Sequence, residues 1–274
     1  MLISGRAARY EVCLLPILEA CEYEIDLFLS INDTDGLYYK VMREKLEKWI
    51  KGLYIRPYTI PADFKTEFRP NDFTMCYQRI DGVWVPRNQL SMYYNDANAF
   101  KMACDYSAQN GFEYDLFMRF RSDIFNVNIP KLSPIDPSTL VLHSILPFCI
   151  TNTFGKYKNR AVSSDWVWGN KKTMAVYCNT YEYVLQENRK MNGRYLFHFE
   201  SNHTDNMIDN SVKIEYHSIH YNTDANRKLF DNTWKIDEDG ITNDSRRVLP
   251  RNATVRYIDS STVSDTVLAP LVAE

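Results

Sequence analysis

Two arginines and a carboxylate close a short apolar run at Tyr114-Asp115-Leu116-Phe117-Met118-Arg119-Phe120-Arg121-Ser122-Asp123. Arg119, Arg121 and Asp123 alternate with Phe120 and Ser122, so a side-chain period of two places all three on one side of a strand end. Guanidiniums beside a carboxylate suit a phosphate-bearing ligand, with or without a divalent metal. The turn signal Asn110-Gly111 precedes the run, which therefore reads as a buried strand, and in open α/β sheets ligands gather at the carboxyl ends of such strands. A salt-bridge cluster that merely closes the strand is the competing account of the same three residues.

Other residues could share that chemistry. Ser4-Gly5-Arg6 follows a first strand, with Arg9 one helical turn on, and could bring backbone N–H groups and guanidiniums to a nucleotide phosphate. An ordinary strand-to-helix turn with exposed arginines fits equally well. Asp165 stands among indoles in Ser163-Ser164-Asp165-Trp166-Val167-Trp168-Gly169, where a carboxyl pressed against Trp would have its pKa raised towards that of a useful base. Alternatively Ser164 or Asp165 caps a following helix. Glu200 is an acceptor-site acid or a helix-start charge. Of His198, His203, His217 and His220, any on a strand is more often structural than a ligand.

The elements that must position these groups alternate between strand and helix in the first half, the pattern of an α/β layer structure. Leu2 to Ser4 ends a first strand, 8–21 reads as a helix, 25–30 as a strand, and 37–51 as a helix with Val41, Met42, Leu46, Trp49 and Ile50 on one stripe. Residues 53–60 form a third strand, edge-like because of Pro57, and 61–87 a long loop or small insertion. The strongest helix carries Leu90, Tyr93 or Tyr94, Ala97, Phe100, Cys104 and Ala108 on one face and stops at Asn110-Gly111. Prolines 130, 134 and 137 mark a linker; 139–143 is a strand, 171–188 a helix and 212–221 a strand. From about residue 237 the composition is that of a tail.

Bulk properties narrow the function. The 274 residues are 45% hydrophobic and 24% charged, enough for a full core, and the net charge of −3 offers no global attraction to nucleic acid or anionic membrane. Any phosphate recognition must then be local. Six cysteines without a CxxC pair speak against a zinc ribbon or redox motif. Neither a secretory leader nor an apolar run of membrane-spanning length is evident, so a soluble cytoplasmic protein is expected.

Several motifs occur together and in order: Ile3-Ser4-Gly5-Arg6 with Arg9, Ile25 to Ser30, Asn88 to Tyr94, Tyr114 to Asp123, Ser164-Asp165 to Trp168-Gly169, Met174 to Tyr177, and Glu200. This set resembles the sugar-transferase-like proteins of bacterial surface-polysaccharide clusters and large DNA viruses, including the WavE-like lipopolysaccharide group. The resemblance implies a GT-A-like nucleotide-diphospho-sugar transferase fold, a central, mostly parallel sheet flanked by helices. It implies one catalytic domain over 1–236, with a nucleotide-sugar half to 125 and an acceptor half from 126, and a C-terminal tail over 237–274.

The activity implied is transfer of a sugar from a nucleotide-diphosphate donor to a glycan or glycoprotein acceptor, in the cytoplasm, that of the host if the chain is viral. Ser4, Gly5, Arg6, Arg9, Ser91, Arg119 and Arg121 would bind the donor, and Asp123, Asp165 and Glu200 would be catalytic. Asp123 and His220 would hold Mn²⁺ or Mg²⁺. The family's Asp-x-Asp position reads Arg121-Ser122-Asp123 here, so either one carboxylate shares a cation with the diphosphate and waters, or Arg119 and Arg121 carry the diphosphate charge themselves. A non-catalytic carbohydrate- or nucleotide-binding protein on the same scaffold is the rival reading, and a nucleotidyl- or phosphotransferase a third.

Overall fold

A computed structural model describes residues 1–5, 14–32, 42–55, 58–62, 64–66, 78–80, 83–120, 136–144, 166–195 and 197–218. Seven strands form one sheet in the order β3-β2-β1-β6-β8-β7-β9: β1 Leu2–Gly5, β2 Leu27–Ile31, β3 Ile50–Ile55, β6 Phe117–Phe120, β7 Thr139–Ser144, β8 Trp166–Gly169 and β9 Lys213–Ser218. The pairs β1–β2, β2–β3, β1–β6 and β7–β9 are parallel, and β8 alone runs antiparallel, between β6 and β7. A hairpin of β4, Gln78–Ile80, and β5, Val83–Val85, stands apart within the segment expected to be a loop or insertion. The architecture is α/β, a mostly parallel sheet flanked by helices, as expected of a GT-A-like fold.

Alternation along each strand divides the core in two. Leu2, Phe28, Phe117, Leu140, Val167 and Ile214 meet Ala99 and Ala103 of α2, Arg87–Asn110, Met174, Tyr177 and Cys178 of α3, Lys171–Cys178, and Met207 of α5, Phe199–Asp209. Ile3, Leu29, Met118, Phe120, Trp166 and Trp168 point the other way, against Leu14 and against Ile17 and Leu18 of α1, Leu15–Ala20, with Met42 and Leu46 of a helical turn at 42–46. Strands covered on both faces carry the near-continuous apolar runs that made them legible.

Helix α2 ends where Asn110-Gly111 signals. Gly111 takes φ 71°, its N–H and that of Phe112 reach the carbonyls of Ala108 and Ser107, and the chain turns into β6. The helix expected over 171–188 is two, α3 and α4, Thr180–Lys190, because the Thr180 hydroxyl donates back to the Tyr177 carbonyl at 2.7 Å and Asn179 leaves helical geometry at φ −79°, ψ 8°. Asn170 caps α3 by accepting from the Thr173 N–H at 2.9 Å. With β8 lying between, neither Ser164 nor Asp165 is that helix's cap. No helix among the described residues is long and apolar enough to cross a membrane.

Gly169 ends β8 against α3, where a Cβ would press on the Thr173 hydroxyl and lie 2.8 Å from Leu140 Cδ1. Gly169→Ala is expected to cost about 1–3 kcal/mol by overpacking. Thermal melting should show a midpoint lowered by about 2–4 °C per kcal/mol. An unchanged midpoint would mean that α3 does not pack as closely on β8 as described.

Candidate functional site

The chain winds outward from β1 through β2 to β3, then returns to lay β6 on the other side of β1. Between β1 and β6 the winding direction reverses, and such a switch point leaves a crevice at the carboxyl edge of the sheet, where ligands of open α/β folds bind. Gly5 closes β1 and Phe120 closes β6 at that edge, and the antiparallel β8 begins there, Trp166 opposite Phe120 with ring centroids 4.9 Å apart. The described strands adjoining Arg6, Arg121 and Asp165 therefore share one edge. Arg6, Arg9, Arg121, Asp123, Asp165 and His220 themselves lie outside the described residues.

On the α2 side, the sheet changes chemistry one residue row from this edge. The inner row, in register, is Gly52, Phe28, Leu2 and Arg119, packed on Ala99, Met102 and Ala103. The outer row is Tyr54, Ser30 and Ser4, facing Ser91, Tyr94 and Asn95 in the amino-terminal turns of α2. Ser30 Oγ donates to Asn95 Oδ1 at 2.8 Å, Asn95 Nδ2 to Asn32 Oδ1 at 3.2 Å, and Asn32 Nδ2 to Ser91 Oγ. The hydroxyls of Tyr54 and Tyr94 lie 3.0 Å apart beside this chain. Ser4, only 7% exposed, has a hydroxyl with no hydrogen-bond partner among the described residues. Burying a hydroxyl unpaired costs on the order of 1–3 kcal/mol, a penalty that a ligand at this edge would relieve.

Arg119 sits in the inner row, fully buried between the sheet and α2. Its Nε donates to Asp96 Oδ1 at 3.2 Å, and Asp96 Oδ2 lies 4.0 Å from His203 Nε2 of α5. His203 stacks on Tyr177 at 4.0 Å and meets Tyr93 edge-on at 5.0 Å, while its Nδ1 lies 2.9 Å from Thr180 Oγ1. Thr180 Oγ1 thus lies between the Tyr177 carbonyl at 2.7 Å and His203 Nδ1 at 2.9 Å, and the tautomer of the ring decides which of the two Thr180 faces as donor. Burial, reinforced by the positive Arg119, holds the His203 pKa well below its usual value, against the opposing pull of the Tyr177 carbonyl.

Of the other expected site residues, Ser4 and Gly5 close β1 at the edge and Ser91 joins the Asn32–Asn95 network rather than capping α2. Glu200 is the second residue of α5, in the first turn, where a helix-start charge belongs. His203 follows one turn later, so the Arg119–Asp96–His203 line links β6 to the helix bearing Glu200. Among the described residues no three His, Cys, Asp or Glu side chains cluster to hold a metal, and the expected ligands Asp123 and His220 fall outside them.

Sequence reasoning did not assign Asn32, Asn95 or Asp96. Asn95-Asp96 sits mid-helix between apolar positions, the one signal that could have marked a polar seam. Helix α5 has residues 201–206 all buried although every one is polar, so no apolar period could reveal it.

The fold class is thus α/β, with a topological switch point between β1 and β6 whose carboxyl edge is the candidate site. No family model and no curated protein matches the chain. Among solved structures, a nucleoside-diphosphate-sugar pyrophosphorylase from Vibrio cholerae RC9 is similar at 12% identity and a TM-score of 0.37, over 79% of this chain and 90% of its own. A likeness that slight carries nothing about activity.

Proposed function

We propose that the chain is a nucleotide-sugar-dependent glycosyltransferase acting on a surface or capsid-type glycan or glycoprotein in the cytoplasm. The observation that supports it most is the polar layer at the β1/β6 switch point, with the buried Ser4 hydroxyl uncommitted. In this reading Ser4, Gly5 and Ser91 meet the nucleoside, and Arg6, Arg9 and Arg121, which lie outside the described residues, would meet its diphosphate. Arg119, committed to Asp96, positions β6 from within.

In the reaction proposed, an acceptor hydroxyl attacks the anomeric carbon, the bond from that carbon to the diphosphate oxygen breaks, and the nucleoside diphosphate leaves with the electron pair. Asp165 or Glu200 takes the acceptor proton. Asp123 orients the donor sugar, and charge on the leaving diphosphate is met by Arg121, helped by a divalent cation that Asp123 would hold with His220. Arg121-Ser122-Asp123 offers one carboxylate where two usually serve a cation, and this favours a second reading, a non-catalytic nucleotide or carbohydrate binder.

Incubation with a panel of nucleotide sugars and acceptors, in Mn²⁺, Mg²⁺ or EDTA, with measurement of released nucleoside diphosphate, separates the two. Turnover is expected, and Asp123→Ala should reduce it by about a hundredfold or more. Binding without turnover across the panel would favour the second reading, and undiminished turnover in Asp123→Ala would remove that residue from the site.

A further inference from the structure

We propose that the network of Asn32, Ser91 and Asn95 selects a nucleotide whose base carries a keto oxygen, O4 of uracil or O6 of guanine, where cytosine and adenine carry an amino group. The inference rests on the nucleotide-donor reading above and adds the chemical class of its base.

The direction of the hydrogen-bond chain carries the argument. Ser30 is fully buried, so its hydroxyl proton needs an acceptor inside the protein, and Asn95 Oδ1 supplies it at 2.8 Å. That contact fixes which way the Asn95 amide faces. Its Nδ2 then donates to Asn32 Oδ1, and Asn32 Nδ2 to Ser91 Oγ. Each step consumes an acceptor and passes a donor outward. At the end of the chain the proton of Ser91 and the second N–H of Asn32 remain to be given away.

Asn32 is half-buried and directly follows β2 at the carboxyl edge, so its outward N–H is open to a ligand, and Ser91, 6% exposed, is bonded to the same amide. The buried hydroxyl of Ser4, on the neighbouring strand in register with Ser30, adds a third proton to the same row. None of these groups is charged, so the set suits a neutral moiety presenting acceptors. O4 of uracil or O6 of guanine fits that description; at the same positions the N4 amino group of cytosine and the N6 amino group of adenine would set donor against donor. Sites that pair a ligand's polar groups reject analogues that leave them unpaired far more strongly than apolar pockets reject a size change.

The test is calorimetric titration of the full chain with UDP, CDP, GDP and ADP, and with inorganic pyrophosphate as a base-free probe. Expected are at least about tenfold tighter binding of UDP than CDP, or of GDP than ADP, and collapse of that ratio to about twofold in Ser91→Ala with pyrophosphate binding unchanged. Asn32→Asp replaces the outward donor by an acceptor and should turn the preference towards CDP or ADP, with far-UV circular dichroism showing that both variants fold. Equal binding of keto and amino bases would overturn the selection while leaving the donor reading standing, as would a ratio unmoved by either variant. Absence of binding by all four nucleotides would overturn both.

Discussion

Asp96→Ala is expected to lower the unfolding free energy by about 3–5 kcal/mol, the usual cost of removing one member of a buried ion pair. Arg119 cannot shed its proton within any accessible pH, and both it and Asp96 are 0% exposed, so water cannot replace the lost carboxylate. Against a total stability of about 5–15 kcal/mol for an ordinary domain the loss is severe. Removing both charges together, with Arg119→Met and Asp96→Leu, should come within about 1–2 kcal/mol of the natural protein, because two desolvation penalties vanish with the attraction. Urea unfolding of the single and double variants measures both quantities. A single variant as stable as the parent would mean that Arg119 finds water or another anion, and the buried line from β6 to α5 would lose its energetic basis.

Stability is expected to fall on mild acidification through His203. The folded protein holds this imidazole neutral, with a pKa well below the ordinary value, whereas in the unfolded chain it titrates near 6.5. Below about pH 6.5 the unfolded state therefore binds a proton that the folded state refuses, and stability declines as pH drops from there towards the folded pKa. The slope contributed by one such group approaches about 1.4 kcal/mol per pH unit. His203→Gln keeps a polar side-chain amide for the Thr180 contact and has no proton to gain. The difference in unfolding free energy between the two proteins should be flat from pH 8 to 7 and change by about 1 kcal/mol between pH 6.5 and 5.5. A constant difference across the whole range would show that His203 protonates as easily folded as unfolded.

The line Arg119–Asp96–His203 also explains what the alternation of Arg119, Arg121 and Asp123 could not convey. Period two holds as far as β6 is described, with Phe117 and Arg119 on one face, and Arg121 and Asp123 lie outside the described residues. It does not say which of those positions lies under a helix. Arg119 is one row inside the edge, beneath α2, and so is consumed by Asp96.

Local sequence determined the strands at Leu2, Leu27, Phe117, Thr139 and Lys213, the long helix and its stop at Gly111, because burial on both faces and turn chemistry write themselves into consecutive residues. The four-residue β8 and the polar helix α5 escaped that reading, one too short for a period and the other without an apolar face. The site divides the same way. Ser4 and Ser91, polar residues near element ends, and the turn residue Gly5 are visible in the sequence by itself. Their relation to Asn32 and Asn95, 59 to 65 residues apart along the chain from their partners, was decided only when parallel pairing set Ser4 beside Ser30 and α2 crossed both strands. Hydrogen bonds between distant segments leave no periodic trace, and their direction depends on which hydroxyl is buried, a property of the folded layer and not of any residue alone.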